Sequence, residues 1–241
     1  MSLKSLIGKV LAGMTLTGFL SLHAMAQAPA VPAALEQEMQ SASEVLQGML
    51  HLDLQPEQRA KLDKAMKDAH GFAVFPNVLR FGVGITKIQG SGVMAYRDRD
   101  GEWSVPIPLL VQGTGTGPHG GALMYSTLIV IKTPAAMQRI LSGQQRMQGT
   151  EAIGPIQTAA SAEQDIVSYT KNRGLVVGVS TDDLHITLNQ QAIAALYGKT
   201  VEPREIMSGQ KVDLRGPPCV QLFVAGTNKL VGKAPNTTYW K

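Results

Sequence analysis

His70-Gly71-Phe72-Ala73-Val74-Phe75-Pro76-Asn77-Val78, followed by Phe81-Gly82-Val83-Gly84 and Gly90-Ser91-Gly92-Val93, is where the chain changes character. Apolar β-branched and aromatic residues come in runs, one of them cut by Pro76, and glycines sit inside the runs. A glycine within a strand costs entropy and brings no side chain to a core. Repeated glycines therefore point to bulges, tight bends or close backbone approach. The pattern predicts short strands at close spacing with turns between them, forming a strongly curved, mainly antiparallel or barrel-like sheet. The expected strands include Val78 to Ile85, Gly92 to Tyr96, Trp103 to Val111 and Leu123 to Ile131. A turn falls at Asp98 to Gly101 and a glycine-dense loop at Gly113 to Gly121. Pro106 and Pro108 suit an edge or bulged position.

Upstream, the period changes to that of a helix. Leu35, Met39, Ala42, Val45, Leu46, Met49 and Leu50 recur at three- and four-residue intervals. A second helix is expected from Pro56, a favourable first-turn residue, to Ala69, with Gly71 as its C-terminal cap. Downstream, a helix is expected over Pro134 to Leu141. Strands follow at Ile166 to Thr170, Leu175 to Ser180 and His185 to Leu188, with Asp182-Asp183 as the turn between the last two. Asn189 can cap a helix ended by Gly198, and a short helix fits Pro203 to Met207. The tail from Gly209 holds one more apolar run, Val220 to Ala225. Helices first and strands after them argue an α+β fold.

The first 26 residues read as a signal peptide. Lys4 and Lys9 precede the uncharged stretch Val10 to Leu22, and Ala24-Met25-Ala26 is an A-x-A cleavage signal. The stretch is shorter than the roughly 20 residues of a spanning helix. The expected organisation is a signal peptide at 1–26, a flexible leader at 27–34, a domain over 35–207 and an extension over 208–241. Such a protein would be periplasmic or secreted. Cys219 is far from the cleavage site, which excludes a lipid-modified cysteine there, and a lone thiol forms no internal disulfide. The full chain carries 22 Lys+Arg against 18 Asp+Glu; without Lys4 and Lys9 this becomes 20 against 18, a net charge of +2. That balance does not support a nucleic-acid surface.

These segments resemble the SYLF (Ysc84-type) family, in its exported bacterial branch. His70 to Val78 is similar to the family's opening motif. Phe81-Gly82-Val83-Gly84 and Gly90-Ser91-Gly92-Val93 resemble its glycine-rich pair, and Trp103-Ser104-Val105-Pro106 its W-S-x-P element. Ser168-Tyr169-Thr170-Lys171-Asn172-Arg173-Gly174 to Gly178-Val179-Ser180 resembles its most recognisable segment, and Asn189 to Tyr197-Gly198 its closing pattern. The resemblance runs from Met66 to Met207. Gly71, Pro76, Gly82, Gly84, Gly92, Trp103, Tyr169, Gly174, Gly178, Tyr197 and Gly198 would then be structural motif residues. Thr116 to Gly121 and Met124 to Thr127 depart from the family pattern. The resemblance implies binding of anionic lipid head groups. Eukaryotic members bind phosphoinositides and some bind actin; an exported bacterial protein is not expected to meet actin.

Other motifs do not hold. Gly115 to Gly120 spells G-x-G-x-x-G, but Pro118 lies inside it and a strand follows where a Rossmann turn opens a helix. Gly226 to Lys233 has the wrong spacing for a P-loop, with Ala234 in place of Ser or Thr. His51, His70, His119 and His185 show no metal-ligand spacing. Ser104, Asp165 and His119 make no recognisable triad, and no G-x-S-x-G elbow is present. No cofactor and no catalysis are expected. Cations are the remaining candidates. Lys171 and Arg173, in the best-matched segment, are the preferred phosphate contacts. Arg80 and Lys87 flank the glycine-rich strands, and Lys61, Lys64 and Lys67 lie on one helix face, interleaved with acids. Phe72, Phe75 and Trp103 read as core, and Tyr239-Trp240 as an interfacial anchor. The expected function is peripheral binding of anionic lipid at a bacterial envelope, with an envelope protein or cell-wall partner as the alternative.

Overall fold

The computed structural model describes residues 31–51, 56–144, 146–151, 156–160, 165–178, 180–214 and 216–232, with backbone alone at 58, 118–119, 146–151, 156–160, 172–178 and 180–182. The signal peptide and Tyr239-Trp240 lie outside the described residues. Helix α1 (Ala33–Leu50) turns one stripe, Met39, Ala42, Leu46 and Met49, into the core. Helix α2 (Pro56–Lys67) buries Leu62, Ala65 and Met66. It stops before Gly71, which does not cap it. Gly71 instead opens strand β1, where a Cβ would lie 2.4 Å from Met137 Cε and 3.0 Å from the Ala95 carbonyl oxygen.

The expected short strands merge into two long ones. Strand β1 (Gly71–Tyr96) pairs antiparallel with β2 (Ile107–Ile131) from Gly71 opposite Ile131 to Met94 opposite Ile107. Pro76 does not end the strand; it sits with Asn77 in a bulge between Phe75 and Val78. The predicted loop Gly113 to Gly121 is strand as well, so the G-x-G-x-x-G run lies mid-ladder. Strands β5 (Ile166–Gly178) and β6 (Ser180–Leu188) share the other edge of β2 in one register, His119 opposite Gly178 and Thr116 opposite Thr181. Asp182 and Asp183, expected as a turn, pair with Gly115 and Thr114. Strands β3 (Arg146–Glu151) and β4 (Ile156–Ala160) were not anticipated; they pair with β6 and β5. A strand with hydrogen-bonded neighbours on both sides tolerates glycine that would break an isolated one, and β2 has such neighbours.

Twenty-six residues at about 3.3 Å each would span about 85 Å. A domain of this size is only about half as wide, so the strands must coil. β1 does: Ala73 and Phe75 from its start share one cluster with Met94 and Tyr96 from its end, and the Arg97 N–H donates to the His70 carbonyl at 2.7 Å. Gly92 marks the contact, since a Cβ there would lie 2.3 Å from the Val74 carbonyl oxygen. The result is an α+β fold with a strongly curved antiparallel sheet that is not closed into a barrel.

The two faces carry two cores. The inner one joins Phe75, Val78, Ile88, Leu109, Tyr125 and Ile129 to α3 (Pro134–Leu141), α4 (Gln190–Tyr197) and α5 (Pro203–Met207). The outer one packs α1, α2 and α6 (Pro218–Val231) on Phe72, Val74, Leu128, Val130 and Tyr169. The tail's apolar run is thus helical and buries Val220 and Phe223 beside α1. Asn189 caps α4 by accepting from the Ala192 N–H at 3.1 Å, and Gly198 closes it in the left-handed region.

Candidate functional site

The helical layer covers only part of the sheet's outer face, and its margin is a groove. Ser41, Val45 and Met49, at successive i+4 positions, present one stripe of α1 to the bulge at Pro76-Asn77. Across the groove, the Ser126 hydroxyl donates to the Pro76 carbonyl at 2.7 Å and fixes the bulge. Lys171, opposite Ser126 in the ladder, is exposed at the groove's edge, facing a volume of about 170 Å³. Towards the start of α1 the hollow continues past Ser41 to Glu38 and Ser91. Burial pushes the Glu38 carboxyl above its usual range, against a hydrogen bond with Ser91. Its Oε1 is buried without a hydrogen-bond partner. Lys171 and Glu38 therefore differ in kind: a solvated cation at one end, a desolvated acid inclined to hold its proton at the other.

Beyond the groove no described helix covers the outer face. The bulge shifts the alternation of β1. Phe72 and Val74 face the helices before it, and odd-numbered residues face outward after it. Val78, Arg80, Thr86 and Ile88 are buried, while Phe81 (41%), Val83 (84%) and Ile85 (70%) stand exposed, with exposed Lys87 next in the row. On β2, Met124 (42%) is exposed on the same side, opposite Leu79. Val83 crosses only Gly120, and Gly84, with φ of +70°, turns the chain between Val83 and Ile85. Strands β1, β2 and β5 contain no Asp or Glu; their charged residues are Arg80, Lys87, Lys171 and Arg173. The nearest described carboxylate along the ladder is Asp183, opposite Thr114, which is itself opposite Lys87.

The predicted cations part company. Arg80 is 2% exposed and its Nε donates to Thr86 Oγ1 at 3.3 Å. Even-numbered alternation after the bulge turns it inward, so it is not a surface contact. Lys87 and Lys171 are exposed on the outer side of the sheet. Arg173 falls opposite Met124, its side chain outside the described residues. Lys61, Lys64 and Lys67 are exposed on α2, where Lys61 pairs with Glu57 at 2.7 Å. They are separate from the row on β1.

The motif residues serve the fold. Trp103 meets Phe72 edge-on at 4.8 Å and donates from Nε1 to the Gly232 carbonyl at 3.1 Å. The Arg97 guanidinium lies 4.1 Å over the Trp103 ring. It donates to the carbonyls of Ala69, Gly101, Gly232 and, at 3.4 Å, Met66. One buried cation thereby ties the end of α2, the Asp98–Gly101 turn and the end of α6. Tyr197 donates to the Pro106 carbonyl, and Tyr169 packs under α2. Gly174 and Gly178 are paired opposite Leu123 and His119. Desolvation lowers the buried His70 to about 4. Ser104 is engaged with Tyr96 N–H and the Val105 carbonyl. No group of three potential metal ligands occurs among the described residues, and no described helix is long and apolar enough to cross a membrane.

Sequence reasoning missed the exposure of Phe81, Val83, Ile85 and Met124. Their signal is present in Phe81-Gly82-Val83-Gly84-Ile85, where large apolar residues alternate with glycine, but period two alone does not say which face is covered. Arg97 and Glu38 were also missed.

Comparison with known proteins gives the lineage. A family model described as "Ysc84: Las17-binding protein actin regulator" matches residues 112–225, extending past Met207 into α6. "LAS seventeen-binding protein 3" of Saccharomyces cerevisiae is 27% identical over 206 residues, 79% of this chain and 43% of that protein. "Protein YSC84" of the same yeast is 28% identical over 210 residues, 80% of this chain and 44% of its own length. The human "SH3 domain-containing YSC84-like protein 1" is 24% identical over 193 residues, 74% of this chain and 55% of its own. The chain spans about half the length of the curated relatives it matches. No solved structure matches it. With the ordered motifs from His70 to Gly198 and a family model that overlaps them, the chain is similar to the Ysc84 (SYLF) family over most of its length.

Proposed function

We propose that this protein is a non-catalytic, peripheral binder of anionic phospholipid at a bacterial cell envelope, periplasmic or secreted after cleavage near Ala26. The observation that carries the reading is electrostatic. Three paired strands, β1, β2 and β5, hold no carboxylate, and the outer side of their ladder offers exposed Lys87 and Lys171. Each basic side chain near an anionic surface contributes about 1 kcal/mol, so a few must act together. Lys171 sits beside the Asn77 amide, which can donate to a phosphate oxygen, in a groove that Glu44 also lines. Arg173 and the α2 lysines would add to the field at longer range.

Co-flotation of the purified protein with vesicles tests this. The expected result is flotation with phosphatidylglycerol vesicles at low salt, weakening at moderate salt, and none with phosphatidylcholine alone. Absence of flotation with any anionic vesicle would overturn it. A second reading, a protein partner, is favoured by the names of the yeast relatives, which record binding to Las17. For an envelope protein that partner would be another envelope component. Co-purifying proteins from the native host, retained by a variant that no longer floats, would favour this reading.

A further inference from the structure

The bare part of the sheet's outer face stands out as a surface without a function in the groove or in the fold. Phe81, Val83 and Ile85 are large, apolar and exposed in one row, and Val83 is the most exposed of them at 84%. Apolar side chains scattered singly over a surface need no explanation, whereas a contiguous cluster does. Here the cluster gains Met124 from the neighbouring strand, opposite Leu79. The chain bends sharply between Gly82 and Ile85, where a Cβ on Gly82 would lie 2.9 Å from Thr86 Cα; Lys87 follows Ile85 beyond the bend, and Lys171 lies at the groove margin beyond Met124, in the ladder position opposite Ser126. An apolar centre thus has cations at two margins; β1, β2 and β5 bring no acid, and Glu44 of α1 lines the groove with Lys171.

We infer that the row Phe81, Val83 and Ile85, with Met124, is a membrane-insertion surface that enters the head-group and upper acyl region of an anionic bilayer while Lys87 and Lys171 meet the lipid phosphates. This rests on the lipid-binding reading above and names the residues that enter the membrane. Two features select a membrane over a second copy of the chain. A stable protein interface buries about 800 Å² on each partner, more than four side chains supply. A bilayer demands no shape match, and shallow apolar burial adds to the attraction between cations and lipid phosphates. The insertion is shallow, because a strand's backbone groups cannot be left unpaired in hydrocarbon.

The test combines flotation with a depth probe. Val83→Trp places an indole at the most exposed position, and its emission is read against the unsubstituted protein on phosphatidylglycerol vesicles carrying brominated acyl chains. The expected result is quenching of the added emission on binding. Val83→Ser/Ile85→Ser should float about tenfold less well with an unchanged melting temperature. If Val83→Trp protein floats but its added emission is not quenched, or if the double serine variant floats as well as the parent, the insertion surface is wrong and lipid binding stands. If no form floats, both fail together. If the double variant floats normally but turns a dimer into a monomer by light scattering, the row is a self-association surface, and the inference is overturned.

Discussion

Phe72 and Val74 at the start of β1 and Phe81, Val83 and Ile85 around its bend are apolar residues of one strand, yet the first two are fully buried and the last three stand in solvent. The difference is the cover. Over the start, α1, α2 and α6 bury the face with Met39, Leu46, Leu62 and Phe223. Past the Pro76-Asn77 bulge, no described helix joins the row. Equal hydrophobicity therefore has two meanings along one strand: cohesion where a helical layer exists, and availability where it ends. If that contrast is right, substitutions in the two regions should separate cleanly between stability and binding.

The largest expected effect is in the covered region. Phe72→Ala removes a ring with no exposure that touches both Trp103 and Phe223. It should cost about 3 to 5 kcal/mol in urea unfolding. Val83→Ala should change stability by less than about 0.5 kcal/mol. Similar losses at both sites would break the comparison. Arg97→Met belongs with Phe72: it leaves four carbonyls without their shared donor and should cost about 3 kcal/mol. Arg97→Lys should not restore the loss, because a single ammonium cannot reach all four positions as the fork does.

Apart from α6, which read only as an apolar run at Val220 to Ala225, the helices were legible in the sequence almost to the residue. Pro134 to Leu141 and Pro203 to Met207 are helices with the expected bounds, and Asn189 and Gly198 are the caps of α4. Capping chemistry is local, so local sequence reports it. Strand continuity is not local. Pro76 and the Gly113–Gly121 run were expected to interrupt strands, but partners far away in sequence, Thr127 and Asp183 among them, supply the ladder that carries β1 and β2 through. The sharp curvature was legible from the glycines; which glycine touches which strand was not. Arg80 shows the same limit at the site. Its neighbourhood reads as a cationic flank, and only the parity shift at Asn77 decides that it turns inward.

A sharper version of the contrast comes from Gly92. Its missing side chain lets the end of β1 lie on the start, with the Val74 carbonyl oxygen and the Phe75 ring occupying the space. Gly92→Ala should cost about 2 kcal/mol, read as a lower urea midpoint. At Gly120 a Cβ would come no nearer than 3.4 Å to Val83, an ordinary contact, so the change should cost much less. A Gly120→Ala loss as large as that of Gly92→Ala would mean that the bare region is as tightly packed as the covered one.

The pH dependence of stability should also map to the covered region. Burial holds His70 at about 4, against an ordinary value of 6.5. Between those two values the unfolded chain takes up a proton that the folded chain does not, so stability falls as pH drops through this window. The difference should reach about 3 kcal/mol near pH 4. His70→Gln should flatten that part of the urea-midpoint profile. An unchanged slope in the variant would assign the acid sensitivity elsewhere.

The smallest effect on stability, and the most telling on binding, is expected from Lys87→Ala/Lys171→Ala. Both side chains are exposed and neither anchors a core contact, so the melting temperature should hold within a degree or so. Each cation contributes about 1 kcal/mol at an anionic surface, so the pair should lower flotation on phosphatidylglycerol vesicles about tenfold at low salt. The loss should shrink as salt rises, because the same screening already weakens the parent. Removing apolar residues from the row should behave differently, with a loss that persists in salt. That divergence in salt dependence separates the two components of the surface, the phosphates met by Lys87 and Lys171 from the acyl region met by Val83 and Ile85. Salt profiles that overlay for the two sets of variants would mean that one kind of contact alone carries the binding.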